Sequence, residues 1–341
     1  MKIIVDGFGG DRAPIDILKG CAKAVEEYYN KYHVDIIVTG NEKIIQEEAK
    51  KNNINLDHIK IINAPSILPV CEDPTQILKK YSDSSMAVGL SLLSKGEGDA
   101  FISAGSTGGL IVGSSLIVKR IKNIKRAALA TIIPTNKNAY MLIDSGANHD
   151  CRPEMLAQFA LMGSVYMNKV LNINNPRVGL LNIGTEENKG TQTQREAYNI
   201  LKDSSLNFVG NIEAREIPFN IADVVVSDGF VGNIVLKYTE GIAKFFMSEI
   251  KNIINKNILT KLAGSVIYGG LKSFKNKLDY TEYGGAILLG IKKPVIKAHG
   301  SSNDKAIKNA IKQAIKIVQN KTVQEISQGL DQYNLKNNLE K

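Results

Sequence analysis

The chain has 341 residues, 43% of them hydrophobic, which is enough for one large domain with a sizeable core. Its formal net charge of +9 comes from lysines spread along the chain, so it indicates either an ordinary solvated surface or attraction to an acidic protein, an anionic bilayer or phosphate. The sequence contains no nucleic-acid-binding module and few aromatic residues, and its three cysteines are too widely spaced for a zinc site or a disulfide framework.

The N-terminal segment has the pattern of a strand, a glycine-containing turn and a helix. Residues 3–5 predict the strand, residues 6–11 the turn, and apolar residues at helical spacing between Ile15 and Tyr29 the helix. This segment lacks the apolar core of a secretory signal, and no run of about 18 apolar residues follows it. We therefore expect a cytoplasmic protein without a membrane-spanning helix.

Strands and helices continue to alternate along the chain. Further helices are predicted at residues 41–52 and 84–93. Further strands are predicted at residues 34–38, 59–62, 100–102, 139–143, 177–181, 223–226 and 294–296. Several of these strands are continuously apolar, which is typical of strands buried on both faces of a parallel sheet. The sequence therefore predicts an α/β fold with a mostly parallel sheet, forming a single domain over residues 1–330 with a polar tail at 331–341.

Residues 242–278 differ from the rest, because they predict a helical excursion interrupted by three glycines. Apolar residues, including Leu262, Val266 and Phe274, alternate there with lysines. This composition suits an interfacial helix on an anionic bilayer. It is equally typical of an apolar face buried in a dimer interface or in a helical hairpin.

Small and polar residues follow five of the predicted strands. These segments are residues 103–109, 144–149, 182–190, 227–233 and 297–302. Ligands of open α/β sheets bind at the carboxyl ends of strands, and glycine loops at helix starts present N–H groups to anions. A single such loop is usually a plain turn, whereas five predict a wide polar crevice for an oxyanion along one edge of the sheet.

No cofactor or metal is expected from the motifs. The turn at residues 7–12 has Arg12 where a dinucleotide-binding loop needs its third glycine, and a phosphate-binding loop of the GxxxxGK[ST] type is missing from the sequence. The sequence also lacks a GxSxG elbow and an HExxH motif. The acidic residues of the five loops do not have the spacing of metal ligands.

The loops carry specific motifs. These are Asp6 with Gly9-Gly10-Asp11 and Ala13-Pro14, Asp83-Ser84-Ser85-Met86, Ser103-Ala104-Gly105, Thr107-Gly108, Gly146-Ala147-Asn148, Val178 to Gly184, Lys189-Gly190, Asp228 to Asn233, Glu282 to Ala286, and Lys297 to Ser302. With them the chain resembles, from residue 1 to about residue 330, the bacterial phosphate acyltransferases that supply acyl-phosphate to the first step of phospholipid synthesis.

The resemblance implies a three-layer α/β/α fold like that of isocitrate and isopropylmalate dehydrogenases and of phosphotransacetylase. It implies a homodimer that uses an acyl carrier protein as acyl donor and associates with the cytoplasmic face of the cell membrane. A membrane glycerol-3-phosphate acyltransferase would be its downstream partner. The chain departs from the family at Ser106, which replaces a usual Asn, at Gly7-Phe8, and at Lys79 and Tyr81 before Asp83. These positions leave the strength of phosphate or carrier binding open, and the sequence indicates no acyl chain length.

The reaction implied is attack of phosphate on a thioester carbonyl. Phosphate is already an anionic nucleophile, so the enzyme must mainly position it and stabilise the tetrahedral oxyanion. The resemblance favours Lys189 as the cation and Asn233 as the neutral donor. The alternatives are that Lys189 is a solvated loop lysine and that Asn233 caps a helix.

Further substrate contacts are expected from the other loop residues on family motifs. These are Ser103, Gly105, Ser106, Thr107, Asn148, Asp228, Gly229 and His299. Three alternative functions are considered for this sequence. They are a short-chain phosphotransacetylase using acetyl-coenzyme A, a dehydrogenase of the related fold, and a non-catalytic membrane scaffold. The lysine-flanked apolar segment favours a long-chain product, and the intact loops favour catalysis.

Overall fold

A computed structural model describes residues 1–135, 137–278 and 284–339, with side chains described except at 272–278 and 332–339. The strands are β1 (Lys2–Asp6), β2 (Asp35–Gly40), β3 (Ile59–Asn63), β4 (Ala100–Ser103), β5 (Ala128–Pro134), β6 (Ala139–Ile143), β7 (Arg177–Asn182), β8 (Asn207–Glu213), β9 (Val224–Val226), β10 (Ala286–Leu289) and β11 (Val295–Lys297). The α-helices are α1 (Ile15–Tyr32), α2 (Glu42–Lys51), α3 (Ser85–Ser94), α4 (Thr107–Gly113), α5 (Pro153–Leu171), α6 (Gln192–Lys202), α7 (Gly229–Ile254), α8 (Ile258–Leu278), α9 (Asp304–Gln319) and α10 (Thr322–Leu339).

The described strands form one sheet in the order β3-β2-β1-β4-β11-β10-β5-β6-β9-β7-β8. Seven of the ten pairings in the described part of the chain are parallel, so the prediction of a mostly parallel sheet is confirmed. Alternate residues of each strand point to opposite faces. In β1, accordingly, Ile3 and Val5 pack into one apolar core and Ile4 into another. Helices cover both faces, which gives the expected three layers.

The two halves of the sheet run in opposite directions. Strands β1 to β4 and β11 are parallel to one another, whereas β6, β7, β8 and β9 run the other way, because the antiparallel strands β10 and β5 separate the halves. One row of registered residues crosses the centre: Ile102, Ile296, Ile287, Ala130, Ile143 and Val226.

This register decides where the loops lie. Ile143 and Val226 are the last residues of their strands, and they share a row with Ile102, the last but one of β4. The carboxyl ends of both halves therefore reach the centre of the sheet from opposite directions. The prediction that all five loops lie along one edge is wrong.

Helices α7 and α8 form a hairpin. The helical segment predicted to begin near residue 242 starts earlier, because α7 runs without a break from Gly229, and α8 continues through the three glycines expected to interrupt it. A Cβ atom added to Gly264 would lie 2.6 Å from the side chain of Ile254, so this glycine allows the two helices to approach. None of the described helices combines the length and apolarity that crossing a membrane requires.

Candidate active site

A cavity of about 350 Å³ lies over the centre of the sheet. Its floor includes Leu129 and Thr131 of β5, and its walls come from the loops after β4, β6, β9 and β11. Its polar lining consists of Thr107, Thr131, Ser145, Asn233, Lys237, Glu240, Lys297, His299 and Ser302. Four of the five predicted loops thus contribute to one polar cavity, because the two halves of the sheet end against each other.

The loop after β6 is held by the buried carboxylate of Asp144. This carboxylate accepts hydrogen bonds from the backbone N–H groups of Gly146, Ala147 and Asn148 at 2.7–3.1 Å, from Leu129 N at 3.0 Å, and from Asn148 Nδ2 at 2.7 Å. Burial is the main influence on Asp144 and raises its pKa, which the hydrogen bonds oppose. The Asn148 amide also donates to the Ala127 carbonyl at 2.8 Å. The Asn148 amide nitrogen therefore fixes the loop, and the predicted substrate contact of Asn148 stays a prediction.

The start of α7 packs directly on this loop. A Cβ atom at Gly232 would lie 1.9 Å from the carbonyl oxygen of Asp144, and one at Gly229 would lie 2.8 Å from the backbone of Asn148. Real Cβ atoms do not approach backbone atoms so closely, so only glycine allows this packing. Gly229 thus contacts the loop after β6, and its predicted substrate contact stays a prediction.

Asn233 lines the cavity as a result of this packing. A Cβ atom added to Gly146 would lie 3.5 Å from Asn233 Oδ1, which places the amide beside the loop after β6. The residue that caps α7 is Asp228, whose Oδ1 accepts from Val231 N at 2.8 Å. The alternative that Asn233 caps the helix is therefore wrong. Asp228 is the cap, and its predicted substrate contact stays a prediction.

In the loop after β4, only some of the predicted residues face the cavity. Ser103 Oγ donates to Asp6 Oδ2 at 2.7 Å and accepts from Gly105 N at 3.0 Å. The Ser103 hydroxyl and the Gly105 N–H thus both hydrogen-bond within the protein. Ser106 Oγ accepts from the backbone N–H of Gly109 at 3.3 Å and caps α4. Asn and Ser cap helices about equally well, so Ser in place of the family's usual Asn retains this function. Thr107 is the residue of this group that lines the cavity.

The loop after β11 contributes His299 and a lysine that sequence reasoning missed. Lys297 is only 9% exposed, and its Nζ atom donates to the carbonyl oxygens of Ala104 and Ala298. Burial lowers the pKa of Lys297 to about 8 and also lowers the pKa of His299, whose Nδ1 lies 2.9 Å from Ser301 Oγ. A lysine at the end of a strand is usually a surface residue. The signal that could have identified Lys297 is that it follows the apolar residues Val295 and Ile296 and begins the family motif Lys297 to Ser302.

Lys189 does not line the cavity. Its side chain is 45% exposed, and its Nζ lies 3.8 Å from Glu186 Oε1. The loop that carries it follows β7, which pairs in parallel with β9, so Lys189 and the start of α7 are at the same end of neighbouring strands. Of the two predicted catalytic residues, Asn233 lines the cavity and Lys189 does not.

The predicted membrane contacts lie on the α7–α8 hairpin, away from the cavity. Leu262 is 61% exposed and Val266 is 85% exposed. Phe274 lies outside the residues whose side chains are described. Helix α7 adds the exposed rings of Phe245 and Phe246. Hairpin formation therefore leaves much apolar surface of these two helices uncovered.

The chain is similar to several known proteins. A family model described as fatty acid synthesis protein matches residues 1–325. A phosphate acyltransferase from Thermoanaerobacterium thermosaccharolyticum is 48% identical over 331 residues, which cover 97% of each chain. A second phosphate acyltransferase, from Clostridium novyi, is 46% identical over 332 residues, covering 97% of this chain and 99% of the relative.

Among solved structures, a phosphotransacetylase from Streptococcus pyogenes superposes with a TM-score of 0.60 at 18% identity, covering 97% of this chain and 94% of that one. This likeness concerns the fold, and it agrees with the isocitrate/isopropylmalate dehydrogenase-like architecture expected from the sequence. The extent and identity of the sequence matches show the family directly. The chain therefore belongs to the phosphate acyltransferase family, and it is an acyltransferase that acts with phosphate.

Proposed function

We propose that this enzyme transfers a long-chain acyl group from the thioester of an acyl carrier protein to inorganic phosphate. The products would be acyl-phosphate, a substrate for a membrane glycerol-3-phosphate acyltransferase, and the free carrier thiol. The observation that carries the proposal is the cavity over the sheet centre. Its hydroxyl, amide and ammonium groups are suited to an oxyanion.

The cavity can promote this reaction by position and charge. Holding phosphate in line with the thioester carbonyl supplies roughly 7–11 kcal/mol of barrier reduction in well-oriented systems. As the phosphate oxygen bonds to the carbonyl carbon, that carbon becomes tetrahedral and its oxygen takes the negative charge. Asn233 is placed to donate an amide hydrogen to this oxygen. Collapse of the intermediate breaks the carbon–sulfur bond and releases the carrier thiolate.

Lys189 is proposed as a cation that joins the site when phosphate binds. Its partner Glu186 is more than half exposed, and exposed ion pairs contribute little, at most about 1 kcal/mol. A phosphate dianion can therefore replace Glu186 at small cost. This role is supported by the parallel pairing of β7 with β9, because the loop that carries Lys189 and the start of α7 follow the same end of these two strands.

Lys189→Ala is expected to lower kcat/KM for phosphate by well over tenfold, because the variant loses a charge that binds the dianion. Initial rates over a range of phosphate concentrations measure the effect. Lys202→Ala is the control, since Lys202 of α6 pairs with Glu187, which lies in the same loop as Lys189. Near-normal kinetics of Lys189→Ala would remove Lys189 from the mechanism.

The α7–α8 hairpin is proposed to contact the anionic inner surface of the cell membrane through Leu262, Val266 and Phe274. The exposure of Leu262 and Val266, with Lys256 and Lys261 nearby in the sequence, supports this contact. The exposed apolar surface of the hairpin is also suited to the interface of the homodimer that the family resemblance implies. The net charge of +9 would favour both an acidic carrier protein and an anionic bilayer.

Replacing Leu262 and Val266 together by Glu is expected to abolish flotation with vesicles that contain anionic lipid, because charged groups cannot enter the acyl region without a large desolvation cost. Ser265→Glu is the matched control, since it adds a charge to the same helix without removing an apolar side chain. Size-exclusion chromatography reports the oligomeric state of each variant. A double variant that stays dimeric and still floats would contradict the membrane contact.

The proposed reaction is tested by mixing the protein with phosphate and either palmitoyl-acyl carrier protein or acetyl-coenzyme A, and trapping acyl-phosphate with hydroxylamine. We expect the hydroxamate of the long acyl chain. Formation of acetyl hydroxamate alone would identify a short-chain phosphotransacetylase instead.

A further inference from the structure

The cavity over the sheet centre, here called the central cavity, shares a wall with a second one of about 390 Å³, called the side cavity. Thr107, Lys297 and Gly300 line both. The side cavity is otherwise lined by Asp6 and the turn after it, which includes Asp11, by Ser85, by Ala104 and Gly105, and by larger apolar residues. These apolar residues are Ile67, Leu68, Pro69, Val70 and Met86.

Lys297 is the cation at this shared wall. It is the last residue of β11, where its neighbours Ile296 and Ala298 are fully buried, and its own side chain is almost entirely buried. An ammonium group has three N–H donors, and two acceptors are found among the described residues, the carbonyl oxygens of Ala104 and Ala298. One N–H therefore remains for a ligand.

The charges on the two sides of this wall differ. On the side-cavity side, the carboxyl groups of Asp6 and Asp11 interact with Lys297, and Asp6 is itself held by Ser103. On the central-cavity side are Lys237, Glu240 and His299 together with the Asn233 amide. Two carboxyl groups and apolar walls disfavour a phosphate dianion in the side cavity. In the central cavity Glu240 is the one lining carboxylate among the described residues, and Lys237 pairs with it at 3.0 Å, so the amide, hydroxyl and ammonium groups there favour the dianion.

We infer that Lys297 is a further catalytic residue. Its ammonium group binds the phosphate dianion in the central cavity and orients the dianion toward a thioester arm that enters from the side cavity. This inference rests on the proposed function for the thioester arm, but phosphate binding by Lys297 can be measured without turnover. A buried ammonium is strongly hydrogen-bonding because few water molecules compete for it.

The charge state of Lys297 gives the binding a pH dependence. Desolvation lowers its pKa to about 8, Asp6 and Asp11 oppose this shift, and Lys237 adds to it. A lysine is charged below its pKa, so the free enzyme carries the phosphate-binding charge at neutral pH and loses it as the pH rises through about 8. A bound dianion extends the charged range upward.

Calorimetric titration with inorganic phosphate tests the inference on the full chain. Lys297→Met keeps the length of the side chain and removes its charge, and it is expected to weaken phosphate binding more than tenfold at pH 7. The wild-type affinity, corrected for the ionisation of phosphate, is expected to fall between pH 7 and pH 9. Lys292→Met, at an exposed residue in the turn between β10 and β11, is the control and should bind phosphate as the wild type does.

Unchanged phosphate affinity in a folded Lys297→Met variant would overturn the inference, as would a wild-type affinity that is constant over this pH range. The pH series needs no variant, so a constant wild-type affinity still contradicts the inference if Lys297→Met does not fold. A smaller pH dependence in the folded variant assigns the effect to Lys297, since Lys237 and His299 line the same cavity. In the turnover assay, Lys297→Met should raise KM for phosphate more than KM for the acyl donor. A wild-type enzyme that binds phosphate with this pH dependence but forms no acyl-phosphate would refute the proposed function and leave the phosphate site intact.

Discussion

Asn233→Ala is expected to lower kcat about 100-fold to 1,000-fold, the usual effect of removing one oxyanion donor. The amide lines the central cavity beside Gly146, and the capping of α7 depends on Asp228, so the substitution removes a reacting-site donor without removing the cap. Initial rates with saturating phosphate and acyl donor measure kcat, and circular dichroism checks the fold.

Asn252→Ala is the matched control for this variant. Asn252 lies in the same helix, and its amide donates to the exposed carboxylate of Glu249 at 3.2 Å. We expect its kcat to equal that of the wild type. If Asn233→Ala also turned over at the wild-type rate, the oxyanion would have to be stabilised by other groups, and the assignment of Asn233 would be wrong.

Gly232→Ala is expected to lower the free energy of unfolding by roughly 3 kcal/mol, in the upper range for overpacked sites, and to reduce activity as well. The added Cβ would lie 1.9 Å from the carbonyl oxygen of Asp144, and this oxygen belongs to backbone that cannot rotate away. Either α7 or the loop after β6 must then move, and both carry cavity residues. Denaturant unfolding measures the loss of stability.

Gly241→Ala tests whether the close contact, and not the loss of a glycine, causes this effect. Gly241 lies in the same helix, and no atom would be within 4 Å of its added Cβ. Alanine is the better helix former by about 0.8–1.0 kcal/mol, so this variant should be somewhat more stable than the wild type. Equal stability of Gly232→Ala and wild type would mean that α7 does not pack on the loop as closely as described.

The apolar runs of the sequence determined most strands and the mostly parallel character of the sheet. Residues 139–143 and 177–181 are continuously apolar or nearly so, and they form β6 and β7 at the predicted places. Strands β5, β8 and β10 were not predicted. Strand β10 follows a glycine pair and is only four residues long, so its pattern was too short to distinguish it from a loop.

Two of these three strands, the antiparallel β5 and β10, decided the site. Strand direction depends on pairing with distant segments, and β5 and β10 reverse the sheet at its centre. The loops therefore meet over the sheet and not along one edge.

Sequence by itself determined the α/β class, the family and the loops that surround the active site, because apolar periodicity and loop composition are local properties of the chain. Only the tertiary structure decided which loop side chains face the cavity. Asn148, Ser103 and Asp228 are held by protein groups, whereas Asn233 and Lys297 reach the ligand space. A side chain's partners are set by the segments that fold against it, and those segments lie far away in the sequence.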